Sequence, residues 1–182
     1  MADVARKSRL IIGAFAYFIN EGATIDSVTV AGTAKPDNSP TSNWLSLGAI
    51  EEVKFDDVRS SEKFITPSEA GGYYEEQEDY ITGDFINLRT SHMNELVERL
   101  QFGLNSVIVA GTAQEPHAAH TRQVNGWLKI QGRKLSGSDE FIMDWWAKLT
   151  LADKLTMNDK TLRPVLRFQK LTSTLNTVVF PA

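Results

Sequence analysis

The sequence predicts a mainly β protein, a β-sandwich or barrel with one flanking α-helix and long loops. Several segments alternate apolar and polar residues as a half-buried strand does, one segment has helical periodicity, and turn-forming stretches separate them. With 42% hydrophobic and 23% charged residues among 182, the composition is typical of a folded globular chain and not of a disordered one. We expect about six to eight strands and one helix packed against them.

Residues 1–43 are expected to form an N-terminal arm or strand followed by a loop. The apolar run from Leu10 to Ile19 is too short to cross a bilayer as a helix. After it, Glu21 stands at the third position before the cut, where a signal-peptide cleavage site needs a small residue. The run therefore predicts a buried strand or short helix. The stretch 35–43 is rich in turn formers and predicts an exposed loop.

Residues 44–182 are expected to form the β domain. Apolar residues alternate with polar ones from Trp44 to Asp56, and Glu51 interrupts the apolar face, which indicates a bulge or a partly wet face. Residues 56–72 are expected to form a long loop, after which a second strand leads to Thr90.

The segment 91–102 predicts the helix. Ser91 is a suitable N-cap and Gly103 a suitable C′ residue. The apolar residues follow the i, i+3, i+4, i+7 pattern of a single narrow stripe, which indicates one helix lying on a sheet: Met93, Leu96, Val97 and Leu100.

The chain then returns to strand patterns. Every odd position from 141 to 151 is apolar, which predicts a long strand with Trp145 facing the core and Trp146 facing the opposite side. Pro164 limits the next strand to an edge or a bulge. The Thr- and Val-rich run 171–180 predicts a closing strand.

Two tryptophans in predicted strands, Trp44 and Trp146, are candidate subunit-interface residues. Trp146 follows Asp144 and precedes Lys148 on the same face, and an indole in such surroundings needs to be covered. Either a helix of the same chain or a neighbouring subunit can cover it.

No catalytic, cofactor-binding or metal-binding residue is predicted, and the chain is not expected to be an enzyme. It has no cysteine, no phosphate-binding or dinucleotide-binding glycine motif, and no nucleophile elbow. The one metal-like spacing, Glu115, His117 and His120, falls in a single local loop and is interpreted as ordinary loop residues.

Charge is distributed unevenly. The net charge of -4 opposes tight nucleic-acid binding, which requires cations that neutralise phosphates. Residues 51–79 hold ten acidic and three basic residues, a local net charge of -7. Such a stretch is either a solvated acidic surface or a face that attracts or repels a charged partner.

Three segments occur in the order strand, strand, helix: WLSLGAI at 44–50, YITGDFINLRT at 80–90, and a helix ending in LQFG at 100–103. In this order they resemble the core of bacteriophage major tail tube proteins. The later segment that runs from RQVNGW at 122–127 to PVLRF at 164–168 is similar to the closing strands of that family, and so is the terminal run 171–180.

The resemblance implies a virion structural protein of the phage tail, made in the host cytoplasm. Its subunits would form hexameric rings that stack into a hollow tube, with sheets of neighbouring subunits joined into an inner barrel. Other tail proteins would be partners, DNA would pass through without specific binding, and no membrane would be involved. The loops 31–43 and 56–72 are expected to reach the next ring.

The lumen of that family tends to be acidic, and an acidic wall repels phosphate. Eight acids are therefore candidates to face the lumen: Glu51, Glu52, Asp56, Asp57, Glu75, Glu76, Glu78 and Asp79. Three other interpretations stay open: the inner tube of a contractile injection device, a monomeric β-barrel that binds a small ligand, and a hydrolase.

Overall fold

The computed structural model describes residues 11–36, 44–67, 73–90, 95–102, 107–109, 112–114, 122–134, 140–152 and 164–179. Within these residues the chain forms eleven strands and one helix, so the prediction of a mainly β protein is confirmed. The elements are β1 (Ile11–Asn20), β2 (Thr24–Ile25), β3 (Val28–Thr29), β4 (Leu45–Pro67), β5 (Tyr73–Thr90), α1 (Glu95–Phe102), β6 (Val107–Val109), β7 (Thr112–Gln114), β8 (Val124–Lys134), β9 (Glu140–Leu151), β10 (Val165–Lys170) and β11 (Thr177–Val179).

Six antiparallel strands pair in a closed circuit. The order of hydrogen-bonded neighbours is β10-β5-β4-β1-β8-β9, and β9 pairs with β10 to complete the circuit. β9 reaches β10 through residues 147–151, while β11 joins the same side of β9 at residues 142–144. The closed part is called the body below. Closure removes most of the strand edges that an open sheet would expose.

β1 lies in the middle of this circuit. It pairs with β4 on one side and with β8 on the other, so residues 11–20 belong to the same sheet as the later strands. Ala16 and Phe18 point into the main core, whereas Ile19 packs on the opposite side of the sheet. The apolar run predicted as a strand or short helix is a strand.

The main core lies inside the body. The strict alternation of β9 is confirmed, because Met143, Trp145, Ala147 and Leu149 are buried in this core and Trp146 is not among them.

α1 begins at Glu95 in the described chain and buries three residues of its predicted stripe; Ser91, Met93 and Gly103 lie outside the described residues. The stripe and the remaining central residues of the core are Leu96, Val97, Leu100, Phe18, Leu47, Ile86, Leu88, Leu128, Leu166 and Phe168.

β4 turns away from β1 after its first few residues. Gly48 has a φ of 85°, a left-handed conformation that glycine adopts without a side-chain clash. The pairing with β1 ends at Ala49, and the register with β5 shifts between Ile50 and Glu52. Glu51 is therefore the extra residue of a bulge, as predicted. Beyond it, β4 continues beside β5 alone.

The hairpin of β4 and β5 is much longer than the sheet that holds it. β4 has 23 residues and β5 has 18, and their pairing runs out to Pro67 opposite Tyr73 with one further register shift after Val58. The prediction of a long loop over 56–72 is therefore wrong for residues 56–67. Polar residues occupy both faces of these strands, so the alternation that marks a half-buried strand is missing.

The end of the described chain is less regular than predicted. Within the described part of the predicted run, residues 171–179, the strand is confined to residues 177–179. In the preceding turn the side chain of Asn176 accepts a hydrogen bond from the backbone N–H of Trp146 at 2.7 Å and donates one to the carbonyl of Leu171 at 2.9 Å. A side-chain amide thus takes the place of backbone pairing in this segment.

Candidate assembly surface

The far part of the β4–β5 hairpin extends beyond the body. We call residues 57–67 and 73–84 the arm. The pairing of β1 with β4 ends at Ala49 and that of β10 with β5 ends at Phe85, so no described strand lies beside the outer edges of the arm. At about 3.3 Å per residue, the arm is about 35 Å long. A two-stranded ribbon of this length with open edges is a template for pairing with another chain.

All eight acids predicted to face a lumen lie in this hairpin, four in each strand. Glu51, Glu52, Asp56 and Asp57 are exposed. The other four are described by their backbone alone, which places them in the arm opposite residues 61–65: Glu75, Glu76, Glu78 and Asp79. The sequence prediction therefore selected one structural unit, the hairpin.

The four exposed acids do not share one face. Glu52 and Asp56 occupy alternate positions of β4 and project from the same side, away from the main core. Asp57 projects from the other side, where Arg59 donates a hydrogen bond to it at 2.6 Å. The hairpin thus presents acidic groups on both of its faces.

The two candidate interface tryptophans are covered by their own chain. Trp44 and Trp146 are 5% and 6% exposed and pack in a second apolar cluster with Trp127, whose ring lies 5.5 Å from that of Trp146. The prediction that they contact another subunit is corrected here, because neither indole presents a surface to a partner. Sequence alternation placed Trp146 on the correct side of the sheet but did not reveal its cover.

That cover is the segment 21–36 together with the turn after β10. The indole N–H of Trp127 donates to the carbonyl of Ala31 at 2.9 Å, and the hydroxyl of Ser173 donates to the carbonyl of Gly32 at 2.6 Å. A short hairpin, β2–β3, and a bridge between Ala31 and Ala34 hold the segment in shape. Residues 31–36 are therefore packed on the sheet, and the part of the predicted loop that follows them, 37–43, lies outside the described residues.

A buried ionic cluster fastens this cover. Lys35 Nζ lies 2.7 Å from Asp144 Oδ2, and Lys129 Nζ lies 3.9 Å from Asp144 Oδ1. Asp144 and Lys129 are each 1% exposed, and the Lys129 ammonium lies 4.9 Å from the ring centre of Trp44. The sequence does not predict this cluster, because charged residues at alternate positions of β8 and β9 are typical of a solvent-facing side.

Large apolar side chains are exposed on two strands that have an open edge. On β4, Phe55 and Val58 are 57% and 45% exposed; on β11, Val178 and Val179 are 44% and 53% exposed. β11 is the last strand of the sheet order, and no described strand lies beside its outer edge. Open edges that carry apolar side chains are the features that pairing between subunits would bury.

Within the described ranges, no group of three His, Asp or Glu side chains is arranged to hold a metal ion. The predicted loop with Glu115, His117 and His120 lies outside those ranges. The helix that the structure describes is not long and apolar enough to cross a membrane.

No protein-family model matches the sequence, and no curated protein is significantly similar to it.

Proposed function

We propose that the chain is a structural subunit of a phage tail tube, which assembles into stacked hexameric rings that form a conduit for DNA. The observation that carries the proposal is the arm, a long two-stranded ribbon with no described strand beside its outer edges. A monomeric protein gains nothing from such edges, which promote uncontrolled pairing. A subunit that joins its sheet to that of its neighbours uses them.

The body supports a structural role over a carrier role. Its interior is occupied by buried aromatic and aliphatic side chains, among them Phe18, Trp145 and Phe168. A β-barrel that binds a small ligand needs an open interior lined by apolar and a few polar groups. The filled body, the sandwich or barrel arrangement with α1 on its flank, and the long hairpin together favour the tail-tube subunit.

The charge of the hairpin agrees with a bore that lets DNA slide. Residues 51–79 carry a local net charge of -7. A wall with this charge repels phosphate, whereas a basic wall would retain DNA through the release of counterions. We assign the lumen-facing role to the acids of β4 in this hairpin.

Negative-stain electron microscopy of the purified full chain tests the proposal. Rings or tubes with a central channel are the expected result. The matched control is a variant whose arm is shortened by joining Arg59 to Ile81 through Asn-Gly, the favoured two-residue hairpin turn. This variant should keep the unfolding temperature of the body and form no rings. Uniform compact particles from the full chain at high concentration would contradict the proposal.

A further inference from the structure

A groove with several cations lies on the face of the sheet that is turned away from the main core. It has a volume of about 420 Å³ and is formed by β4, β5 and β10 with the end of β9. Its polar lining residues are Glu52, Lys54, Asn87, Arg89 and Arg167. The groove holds three cations and one carboxylate, so it is positively charged on a chain whose net charge is -4.

Two of the cations have no anionic partner among the described residues. Arg89 Nη1 lies 3.3 Å from a carboxylate oxygen of Glu52, so that pair is satisfied. Arg167 stacks its guanidinium 4.2 Å above the ring centre of Phe85, and its Nε–H is buried without a hydrogen-bond partner in the described structure. Lys54, at the rim, is exposed. Asn87 lies opposite Arg167 in the pairing of β5 with β10, and its Oδ1 is likewise buried without a hydrogen-bond partner in the described structure. The groove therefore holds one buried donor and one buried acceptor that an incoming group can satisfy.

We propose that this groove receives acidic side chains from the arm of a second copy of this chain. The inference rests on the proposed function and names one contact of the assembly. Charge complementarity carries it, since the arm holds seven acidic and two basic residues, a net charge of -5, and extends away from its own body. An arm that enters the groove of the next copy makes a head-to-tail contact, which generates rings or filaments.

A nucleic-acid phosphate is the other anion that a cationic groove can bind. The surroundings favour the arm, because Glu52 lines the groove and Asp56 projects from the same face of β4. These carboxylates would repel a long polyanion that must pass over the whole face. The arm of a second copy, by contrast, needs to place only a few carboxylates in the groove and does not cross the rest of the face.

The test uses complementary charge reversals in the full chain. The groove variant carries Lys54→Glu and Arg167→Glu, and the arm variant carries Glu75→Lys, Glu76→Lys and Glu78→Lys. Each variant alone should raise the concentration needed for polymerisation by about tenfold or more, because attraction becomes repulsion. An equimolar mixture should polymerise again, since each reversed groove then meets a reversed arm. Arg122→Glu, an exposed cation outside the groove, is the matched control and should polymerise normally.

The single variant Lys54→Glu repeats the test at an exposed position if Arg167→Glu prevents folding. Failure of the wild-type chain to polymerise would overturn the proposed function and this contact together. Normal polymerisation of the groove variant, or a mixture that stays unassembled, would overturn the contact alone. Binding of a single-stranded oligonucleotide that Arg167→Glu abolishes, with polymerisation intact, would identify phosphate as the occupant and also overturn it.

Discussion

The body and the arm are built from the same two strands but differ in what surrounds them. Near the body, β5 is flanked by β4 and β10, and its residues Ile86 and Leu88 are fully buried. Before Phe85, β5 has only β4 beside it in the described chain. The body therefore has a buried core, whereas the arm has no described strand beside its outer edges. Substitutions in the two regions should consequently affect different properties, stability in one and assembly in the other.

The largest effect on stability is expected in the main core. Phe168 is fully buried and lies 5.8 Å from the ring of Phe18, so Phe168→Ala should lower the free energy of unfolding by about 3–5 kcal/mol. The matched substitution Phe55→Ala removes a ring that is 57% exposed and lies 6.3 Å from the ring of Trp145, and should cost about 1–2 kcal/mol. Urea denaturation followed by tryptophan fluorescence measures both values. Equal losses would refute the distinction between body and hairpin.

The second-largest loss in the free energy of unfolding is expected from substitutions in the ionic cluster under the cover. Asp144→Ala leaves the buried ammonium of Lys129 without its carboxylate and should cost about 3 kcal/mol or more. The control, Asp57→Ala, removes an exposed carboxylate paired with Arg59 and should cost less than about 1 kcal/mol. The same denaturation experiment compares them, and an Asp144→Ala variant as stable as the wild type would show that the cluster does not hold the cover.

Substitutions at the open edge of β11 should weaken assembly without changing the stability of the subunit. Val178→Lys combined with Val179→Lys places charges on an exposed edge strand, so the free energy of unfolding should change by no more than about 0.5 kcal/mol. Polymerisation, measured by light scattering, should be strongly reduced if this edge joins a neighbour. Thr172→Lys, also exposed but outside the strand, is the control. Normal scattering from the double variant would remove β11 from the assembly surface.

The smallest effect on the protein itself should come from neutralising the exposed acids of β4. Replacing Glu51, Glu52, Asp56 and Asp57 by their amides should preserve the fold, because these side chains are exposed, and should preserve assembly, because the acids of the arm strand 73–84 stay in place. Tubes of this variant should retain DNA at low salt, while wild-type tubes should not. Co-sedimentation with labelled DNA measures the difference. Equal retention by both would place the acids elsewhere than on the bore.

The same contrast explains which features were predictable from sequence. The body was predictable where one face is apolar: β9 shows strict alternation, and Glu51 marks its bulge by interrupting an apolar face. The first strand of the arm, residues 57–67, was not predicted because its polar and apolar residues do not alternate with a period of two. The cover over Trp146 and the cluster at Asp144 depend on contacts between residues about a hundred positions apart, which local pattern does not encode.

Sedimentation velocity of the full chain over a range of concentrations shows whether the hairpin finds a partner in another copy. As the concentration rises, the 20.3 kDa subunit should give way to six-subunit species and their multiples. The arm-shortened variant should stay at the mass of one subunit with an unchanged unfolding temperature. A full chain that remains a single subunit at every concentration would contradict the proposed assembly.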